Sequence, residues 1–421
     1  MHARAASIDA VRWPDLHLNG GETGCVGCGI KSGKSNSNSF RNEVSKHFDN
    51  YLLTSSQGVC VLSLSEQPAK PLPIEAFVSQ FTKTSIALVI ERHPATSITT
   101  TTMSAPRKDI PLRPGVYVPI VTIFDPATED LDLEAQKKHT VRLVQDGLVG
   151  IVVMGSNGEA VHLTHQERID VIKATRSALD EAGFKDTPVI AGCTAQSTRE
   201  SIQMCKDAAA AGATAALILA PCYFKPAMTS EVIYQFFKEI ADKSPIGIMM
   251  YNYPGAVAGI DMDSDLMSRV AAHPNCVGAK FTCGQTGKLN RVADKAKAIT
   301  AKSQGSGFLA TGGLADMTLP TALSNGSGII AGSANVFPKL CAKVWNLSAE
   351  GKLDEAQKLQ TLLADMDYEL ARSVVPATKA TLNHYFGYGG VPRRPLPALT
   401  EEETKKYVEA IKPAMDFEKS N

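Results

Sequence analysis

One lysine in the sequence stands where an amine could act as a nucleophile. Lys280 closes the apolar run Cys-Val-Gly-Ala-Lys and precedes Phe281, so its side chain is expected to be shielded from water. Desolvation disfavours the ammonium form of an amine, and a neutral amine can attack a ketone to form an imine that accepts electrons. Lys225 is the rival amine, but it lies in a predicted loop with no apolar strand to hold it. We therefore rank Lys225 below Lys280, although most lysines are solvated surface groups.

Two hydroxyl-bearing residues could move protons beside such an amine. Tyr251 ends the apolar run Ile-Gly-Ile-Met-Met-Tyr, and Ser156 lies in the turn Gly-Ser-Asn-Gly. A phenol can shuttle protons during imine formation and carbon–carbon cleavage, and Ser156 could relay that proton. The turn also offers consecutive backbone N–H groups that suit a carboxylate. The alternatives are ordinary strand packing for Tyr251 and a glycine-rich turn that binds nothing.

These residues are placed by a regular alternation of apolar and amphipathic segments. Eight short apolar runs resemble buried parallel strands, and the segments between them are amphipathic. Eight such units predict a closed (β/α)₈ TIM barrel, whose catalytic groups lie at the carboxyl ends of the strands. An open doubly wound sheet is the alternative, but no glycine-rich dinucleotide turn follows the first strand. The runs are residues 115–122, 150–155, 188–193, 215–221, 246–251, 276–281, 307–312 and 328–333.

Helix signals complete the predicted domain organisation. Thr164 with Glu167, and Ser197 with Glu200, fit the capping box that begins a helix. Beyond Val336 the pattern is helical throughout and predicts three or four helices. We assign residues 106–335 to the barrel and residues 336–421 to a C-terminal helical extension.

The first part of the chain differs in composition. Residues 1–105 are rich in Ser, Thr, Asn and Gly, which predicts a poorly ordered N-terminal extension. Met103 would be a natural start for the folded part. The segment Gly-Ile-Lys-Ser-Gly-Lys-Ser resembles a phosphate loop, but Cys28 stands where that loop requires glycine, so we predict no nucleotide site. Cys25 and Cys28 form the single CxxC pair, which is too few ligands for a structural zinc site.

Composition limits the classes of partner. The chain has 43 basic and 43 acidic residues, which gives no electrostatic case for binding nucleic acid or an anionic membrane surface. No apolar run approaches the ~20 residues of a membrane span. The nine widely spaced cysteines indicate reduced thiols. We predict a cytoplasmic protein, with a mitochondrial location open. His162 and His165 are a close histidine pair, but a third metal ligand is lacking.

Several motifs, in this order and spacing, resemble the dihydrodipicolinate synthase / N-acetylneuraminate lyase family. They are Gly155-Ser-Asn-Gly-Glu159, Pro-Cys-Tyr-Phe-Lys-Pro at 221–226, Tyr251-Asn-Tyr-Pro254, Val277-Gly-Ala-Lys280 and Gly-Ser-Ala-Asn at 332–335. The resemblance covers about residues 110–415. It implies a barrel with C-terminal helices, assembled as a homotetramer (a dimer of dimers), and a Schiff base on Lys280.

The resemblance also implies roles for the other residues. Tyr251 would be the catalytic tyrosine, and Ser156 and Asn157, with Gly158 in the same turn, would bind the pyruvate carboxylate and relay a proton. Tyr223 matches a tyrosine that, in the synthases, reaches into the site of a neighbouring subunit. Two further positions, Gly312 and Ile330, match residues that line the pocket.

Two departures bear on the substrate. The synthases usually carry an arginine where this chain has Ala256, and two threonines where it has Ser156-Asn157. The Ser-Asn pair resembles 4-hydroxy-2-oxoglutarate aldolases and sugar-acid aldolases. We therefore expect cleavage of a 4-hydroxy-2-oxo acid or a 2-keto-3-deoxy sugar acid to pyruvate and an aldehyde, with no cofactor or metal.

Two alternatives stay open at this stage. One is a 4-hydroxy-tetrahydrodipicolinate synthase that condenses pyruvate with aspartate semialdehyde. The other is a non-catalytic barrel that binds a 2-oxo acid. The combination of Lys280, Tyr251 and Ser156 argues against the second alternative, because binding alone does not need all three.

Overall fold

The computed structural model describes residues 51–56, 59–64 and 110–421. The chain divides into two units, residues 1–100 and 101–421. In the first unit, β1 (Tyr51–Ser56) pairs antiparallel with β2 (Val59–Leu64). The remainder of the predicted low-order extension, with Cys25, Cys28, Met103 and the segment resembling a phosphate loop, lies outside the described residues.

The second unit contains a closed barrel of eight parallel strands. Each predicted apolar run forms one strand, and β10 closes the barrel against β3. The predicted TIM barrel is therefore confirmed. The strands are β3 (Gly115–Pro119), β4 (Gly150–Val153), β5 (Val189–Gly192), β6 (Ala215–Leu219), β7 (Gly247–Asn252), β8 (Cys276–Phe281), β9 (Leu309–Gly312) and β10 (Gly328–Ile330).

A helix follows each of the first seven barrel strands, as the amphipathic pattern predicts. These helices cover the outer face of the barrel, so apolar side chains fill the layer between strands and helices. The helices are α1 (Leu133–Gln145), α2 (His165–Glu181), α3 (Thr198–Ala210), α4 (Ser230–Lys243), α5 (Ser264–Ala271), α6 (Thr286–Ala296) and α7 (Thr318–Leu323).

A second, smaller cluster fills the inside of the barrel. At the amino end of the strands, the Tyr117 hydroxyl donates to the carbonyl of Arg113 at 2.9 Å and accepts from its N–H at 3.1 Å. Gly150 leaves room for this ring, because a Cβ there would lie 2.3 Å from Tyr117 Cε1. The cluster comprises Tyr117, Val152, Ile190, Ala215, Leu217, Met249, Tyr251, Leu309 and Ile330. Side chains therefore fill the barrel at the amino end of the strands. The predicted catalytic side chains lie towards the carboxyl end.

The predicted capping boxes are confirmed for one helix and corrected for another. At the start of α2, Thr164 accepts from the N–H of Glu167, and Glu167 accepts from the N–H of Thr164. At the start of α3, Ser197 accepts from the N–H of Glu200 at 3.2 Å. The reciprocal bond is missing in α3, since the Glu200 carboxylate instead pairs with His165 Nε2 at 2.7 Å.

The C-terminal extension has more helices than predicted. The sequence predicts three or four helices, whereas the described chain has five in this region. The difference arises because the last predicted segment divides at Ile411. Pro413 lies in the first turn of the final helix, where its missing N–H costs no hydrogen bond. The five helices are α8 (Pro338–Glu350), α9 (Leu353–Ala371), α10 (Val374–Phe386), α11 (Glu401–Ala410) and α12 (Lys412–Ser420). None of the helices in residues 110–421 is long and apolar enough to cross a membrane.

Candidate active site

The structure brings Lys280 and Tyr251 together in the barrel interior. Strands β7 and β8 are adjacent, and the two residues are register partners. Lys280 Nζ donates to Tyr251 Oη at 3.4 Å and lies 4.4 Å from the centroid of its ring. Both side chains are buried, at 3% and 4% exposure. An amine and a phenol held this close and away from water can exchange a proton.

An irregularity in the sheet produces this pairing. Ile248 pairs with Cys276, but the register shifts by one residue before Met249, which pairs with Gly278. Without the shift Tyr251 would face Ala279, and a slip of one residue turns side chains to the opposite face of a sheet. The shift therefore places the amine and the phenol on the same inner face.

Backbone hydrogen bonds shape the turn after β4, where the sequence predicts a carboxylate-binding site. The N–H of Gly158 donates to Gly155 O at 3.0 Å, and the N–H of Glu159 donates to Ser156 O at 3.1 Å. Thr122 Oγ1, just beyond the end of β3, supports the turn by donating to Gly158 O at 2.7 Å. Within residues 110–421, no hydrogen bond uses the N–H of Ser156 or Asn157. Gly158 therefore shapes the turn, and the N–H groups of Ser156 and Asn157 are left without a hydrogen bond in the described residues.

The remaining predicted pocket residues lie on β9 and β10. Ile330 belongs to the same inner cluster as Tyr251. A Cβ at Gly332 would lie 2.5 Å from Asn157 Nδ2, so the Asn157 amide covers the loop after β10. At Gly312 an added Cβ would meet Thr321 Oγ1 at 2.5 Å, on the helix side of the sheet. Gly312 can therefore present only its backbone to the barrel interior.

Tyr223 and Lys225 lie outside this group. Tyr223 is 80% exposed and packs edge to face with Phe224 at 5.1 Å. None of its described contacts is with Lys280 or Tyr251. Lys225 Nζ donates to Ala258 O at 2.7 Å, which joins the loop after β6 to the loop after β7. The predicted ranking of Lys280 above Lys225 agrees with this arrangement, because Lys225 is solvent-exposed.

The sequence did not reveal that Glu159, the last residue of the turn, is bound by the C-terminal extension. Its Oε1 lies 2.6 Å from Nζ of Lys379 on α10, and its Oε2 accepts from the N–H of Arg393 at 2.8 Å. Glu159 and Lys379 are 2% and 0% exposed. Burial lowers the pKa of Lys379 to about 8, against the opposing effect of Glu159. This buried pair holds one end of the turn, and Glu159 has a left-handed backbone with φ of 51°.

A second set of hydrogen bonds joins the extension to the loop after β9. Asp367 Oδ2 on α9 accepts from the N–H groups of Ala315 and Asp316 at 2.9 and 3.0 Å. Gln360 Oε1 accepts from the N–H of Leu319 at 2.8 Å. Burial raises the pKa of Asp367 to about 6. Loops at two positions around the mouth of the barrel are thus held by the extension.

The histidines near the site have structural partners. His162 Nδ1 lies 3.0 Å from Glu159 Oε2, whereas His165 pairs with Glu200. His139 is buried, and its Nε2 lies 2.9 Å from Asn335 Oδ1. Burial lowers the pKa of His139 to about 3, so it is neutral at physiological pH. Among residues 110–421 no cluster of three metal-ligating side chains is found.

Comparison with known proteins identifies the family to which this barrel belongs. The model of the dihydrodipicolinate synthetase family matches residues 113–414. The chain belongs to this family. An L-threo-3-deoxy-hexylosonate aldolase of Aspergillus niger is 52% identical over 326 residues, which is 74% of this chain and 97% of that protein. The predicted family and the predicted class, a carbon–carbon lyase, are confirmed.

Two further family members show the range of this similarity. A protein of Emericella nidulans named "Probable 4-hydroxy-2-oxoglutarate aldolase, mitochondrial" is 44% identical over 73% of this chain and 97% of its own length. The crystal structure of a dihydrodipicolinate synthase from Bacillus anthracis superimposes with a TM-score of 0.65 at 28% identity, covering 72% of this chain and 98% of that one. Aldolases and synthases of the family therefore share this barrel.

Proposed function

We propose that this enzyme is a Schiff-base aldolase that cleaves a 2-keto-3-deoxy sugar acid to pyruvate and an aldehyde. The observation that carries the proposal is the buried contact of 3.4 Å between Lys280 Nζ and Tyr251 Oη. The turn of Ser156 and Asn157 would bind the substrate carboxylate through its two N–H groups. Ile330 and the backbone of Gly312 would line the pyruvate half of the pocket.

The chemistry follows from these positions. The Lys280 amine attacks C2 of the 2-oxo acid, the carbinolamine loses water, and an iminium ion forms. Tyr251 gives its proton to the carbinolamine hydroxyl that leaves as water, and the resulting phenolate then accepts the proton of the C4 hydroxyl. The bond between C3 and C4 breaks, its electron pair moves into the iminium to give an enamine, and the aldehyde leaves. Tyr251 returns the proton to the enamine at C3, and hydrolysis of the iminium by water releases pyruvate and restores the Lys280 amine and the Tyr251 phenol. Every step uses groups that this chain holds.

The names of the relatives support a six-carbon substrate. Proteins of Aspergillus niger and Hypocrea jecorina, each 52% identical to this chain, are named L-threo-3-deoxy-hexylosonate aldolases. The predicted alternative, 4-hydroxy-2-oxoglutarate, is named for a relative at 44% identity. We therefore favour a 3-deoxy-hexulosonate, whose cleavage between C3 and C4 leaves a three-carbon hydroxyaldehyde.

Ala256 argues against the synthase alternative. It lies exposed in the loop after β7, where the synthases usually carry an arginine that holds the carboxylate of aspartate semialdehyde. Without that arginine the carboxylate of aspartate semialdehyde loses a charge-assisted hydrogen bond. Retro-aldol cleavage of the sugar acid should therefore exceed dihydrodipicolinate formation.

The test is borohydride reduction of the enzyme with pyruvate, followed by peptide mapping. A label on Lys280 separates an enzyme of this mechanism from a barrel that only binds a 2-oxo acid. Values of kcat/KM for 2-keto-3-deoxy sugar acids, for 4-hydroxy-2-oxoglutarate, and for pyruvate with aspartate semialdehyde then identify the reaction. Faster condensation would replace the proposed function with the synthase, and Lys225 would be the first candidate for the carboxylate clamp.

Assembly and location are proposed from family resemblance. We retain a homotetramer, in which the exposed Tyr223 would contact a neighbouring subunit, and sedimentation analysis of the purified protein tests it. A mitochondrial location is the alternative to the predicted cytoplasmic one, because one relative is named mitochondrial. Fractionation of cells that express the whole chain separates the two.

A further inference from the structure

Asn335 ends the Gly-Ser-Ala-Asn motif after β10, which has no part in the proposed chemistry, and its side chain is fully buried. Its Nδ2 donates to Gly332 O at 2.7 Å and to Pro119 O at 3.0 Å. Its Oδ1 accepts from the N–H of Val121 at 3.2 Å. Since β10 and β3 are the strands that close the barrel, this one side chain joins the loop after β10 to the segment that leaves β3.

The hydrogen bonds of Asn335 also fix the proton of a buried histidine. Because both partners of Nδ2 are carbonyl groups and one partner of Oδ1 is an N–H, this amide has a single orientation. His139 Nε2, 2.9 Å from Oδ1, must therefore carry the proton of the neutral imidazole and donate it. His139 Nδ1 then accepts from Tyr388 Oη at 3.2 Å, and that oxygen accepts from Arg142 Nε at 2.8 Å. These four side chains form one directed chain of hydrogen bonds that ends on the backbone of the barrel.

The backbone that Asn335 holds is also the backbone that contacts the turn after β4. Thr122 follows the residue whose N–H binds Oδ1, and its Oγ1 donates to Gly158 O in the turn. On the other side, the Asn157 amide lies against Gly332, where a Cβ would come within 2.5 Å of Nδ2. Two successive residues of the turn therefore rest on atoms whose positions Asn335 sets.

We propose that Asn335, oriented by His139, is a positioning residue that sets the shape of the turn which binds the carboxylate of the substrate. The inference rests on the proposed function, because that function assigns the carboxylate to the N–H groups of Ser156 and Asn157. In the part of the chain that the structure describes, neither side chain is hydrogen-bonded to Lys280. Their loss therefore weakens binding of the carboxylate and leaves the amine able to react.

The test is Asn335→Asp, which keeps the shape of the side chain but turns an oxygen towards the two carbonyl groups. Reductive trapping on Lys280 with cyanoborohydride gives the half-saturating concentrations of pyruvate and of methyl pyruvate, an ester without the carboxylate charge. The value for pyruvate should rise about five- to tenfold, and that for methyl pyruvate should change less than about twofold. Asn275→Asp is the matched control, because its amide also donates to backbone carbonyls, Ala241 O at 2.9 Å and Ser244 O at 3.1 Å, but at the amino end of β8. It should change neither value.

Hydrogen exchange of the peptide that spans residues 155–159 is a second measurement, and it needs no ligand. The bonded N–H groups of Gly158 and Glu159 should exchange faster in Asn335→Asp and at the wild-type rate in Asn275→Asp. Equal weakening of pyruvate and methyl pyruvate, weakening of neither, or unchanged exchange in the turn would overturn the proposal. If the wild type fails to trap pyruvate, the Schiff-base function falls, and the exchange rates alone decide whether Asn335 positions the turn.

Two variants of His139 decide the question if Asn335→Asp does not fold. His139→Gln retains an amide that can donate to Asn335 Oδ1, whereas His139→Leu removes the donor. His139→Leu should therefore raise both the pyruvate value and the exchange of the turn, and His139→Gln should return both towards the wild type. The same change in both variants, or a change in neither, would show that this hydrogen bond does not position the turn.

Discussion

Glu159 Oε1 and Lys379 Nζ lie 2.6 Å apart in the interior, and this contact joins the turn after β4 to helix α10. The turn carries Ser156 and Asn157, which are exposed and half-exposed, while Glu159 at its end is buried. The buried end is therefore held by the extension, and the open end is the part proposed to bind a carboxylate. Glu159 is committed to this role and is not available as a catalytic base.

Replacing Lys379 by methionine should destabilise the protein and weaken binding of the 2-oxo acid. Removal of one partner of a buried pair costs about 3–5 kcal/mol, because the other charge is left uncompensated. We expect KM to rise about three- to tenfold as the turn loosens, with a smaller change in kcat. Glu159→Gln combined with Lys379→Met should recover most of the stability and keep the raised KM.

A matched control separates positioning from general destabilisation. Arg176 Nη1 donates to Thr187 O at 2.7 Å, just before β5 and at the amino end of the strands. Arg176→Met should lower the free energy of unfolding without altering KM. If Lys379→Met behaves in the same way, the pair with Glu159 is purely structural.

Lys280→Ala should abolish cleavage and borohydride trapping, because the nucleophile is lost. Its fold should be retained, since the amine lies at the end of a strand and its loss leaves no charge unpaired. Circular dichroism and peptide mapping of trapped protein provide the measurements. Lys225→Ala is the matched control and should keep trapping at the wild-type level. Normal turnover in Lys280→Ala would disprove the central role of this residue.

The stability of the fold should depend on pH through Asp367. Burial raises its pKa to about 6, so the folded state holds this proton more tightly than the unfolded state does. The associated stability is present below about pH 4, the unfolded value, and declines as pH rises to about 6. Asp367→Asn removes the charge and keeps an oxygen that can accept from Ala315 and Asp316. It should stabilise the protein by about 1–3 kcal/mol above pH 6.

Thermal unfolding at pH 4.5 and pH 7.5 measures this effect. The gain in Tm for Asp367→Asn should be larger at pH 7.5 than at pH 4.5. Asp365→Asn, at an exposed position of the same helix, should give no such difference. A gain that does not depend on pH would assign the effect to something other than the Asp367 carboxyl group.

Removing residues 1–102 should leave kcat/KM and Tm nearly unchanged, because the family match begins at residue 113 and the barrel at Gly115. The measurement is a comparison of the whole chain with the shortened one under the same conditions. An insoluble or inactive shortened protein would show that this segment supports the barrel.

Much of the barrel could be predicted because buried parallel strands are apolar on both faces and their runs are easily recognised. Lys280 and Tyr251 followed from the same pattern, since they end two of these runs. Their register did not follow, because the shift between Ile248 and Met249 leaves no mark in the sequence. The family resemblance supplied the pairing that strand periodicity alone could not.

The contacts between the C-terminal extension and the barrel loops could not be predicted, for a different reason. Arg393 binds Glu159 across 234 residues of sequence, and Lys379 lies in a helix where a lone lysine suggests a solvated face. The break at Ile411 was obscured by the continuous helical character of its neighbours.

The contacts of Glu159 with Lys379 and Arg393 also have a consequence for the order in which the chain folds during synthesis. Glu159 leaves the ribosome early, and its partners Lys379 and Arg393 follow only after all eight barrel strands have been made. Until then the turn ends in a buried carboxylate without its counter-charge, an arrangement that proteins avoid. The nascent barrel is therefore expected to hold this turn unformed through most of translation. The active site would then become complete only late in synthesis, in a single step, when α10 packs against the turn after β4.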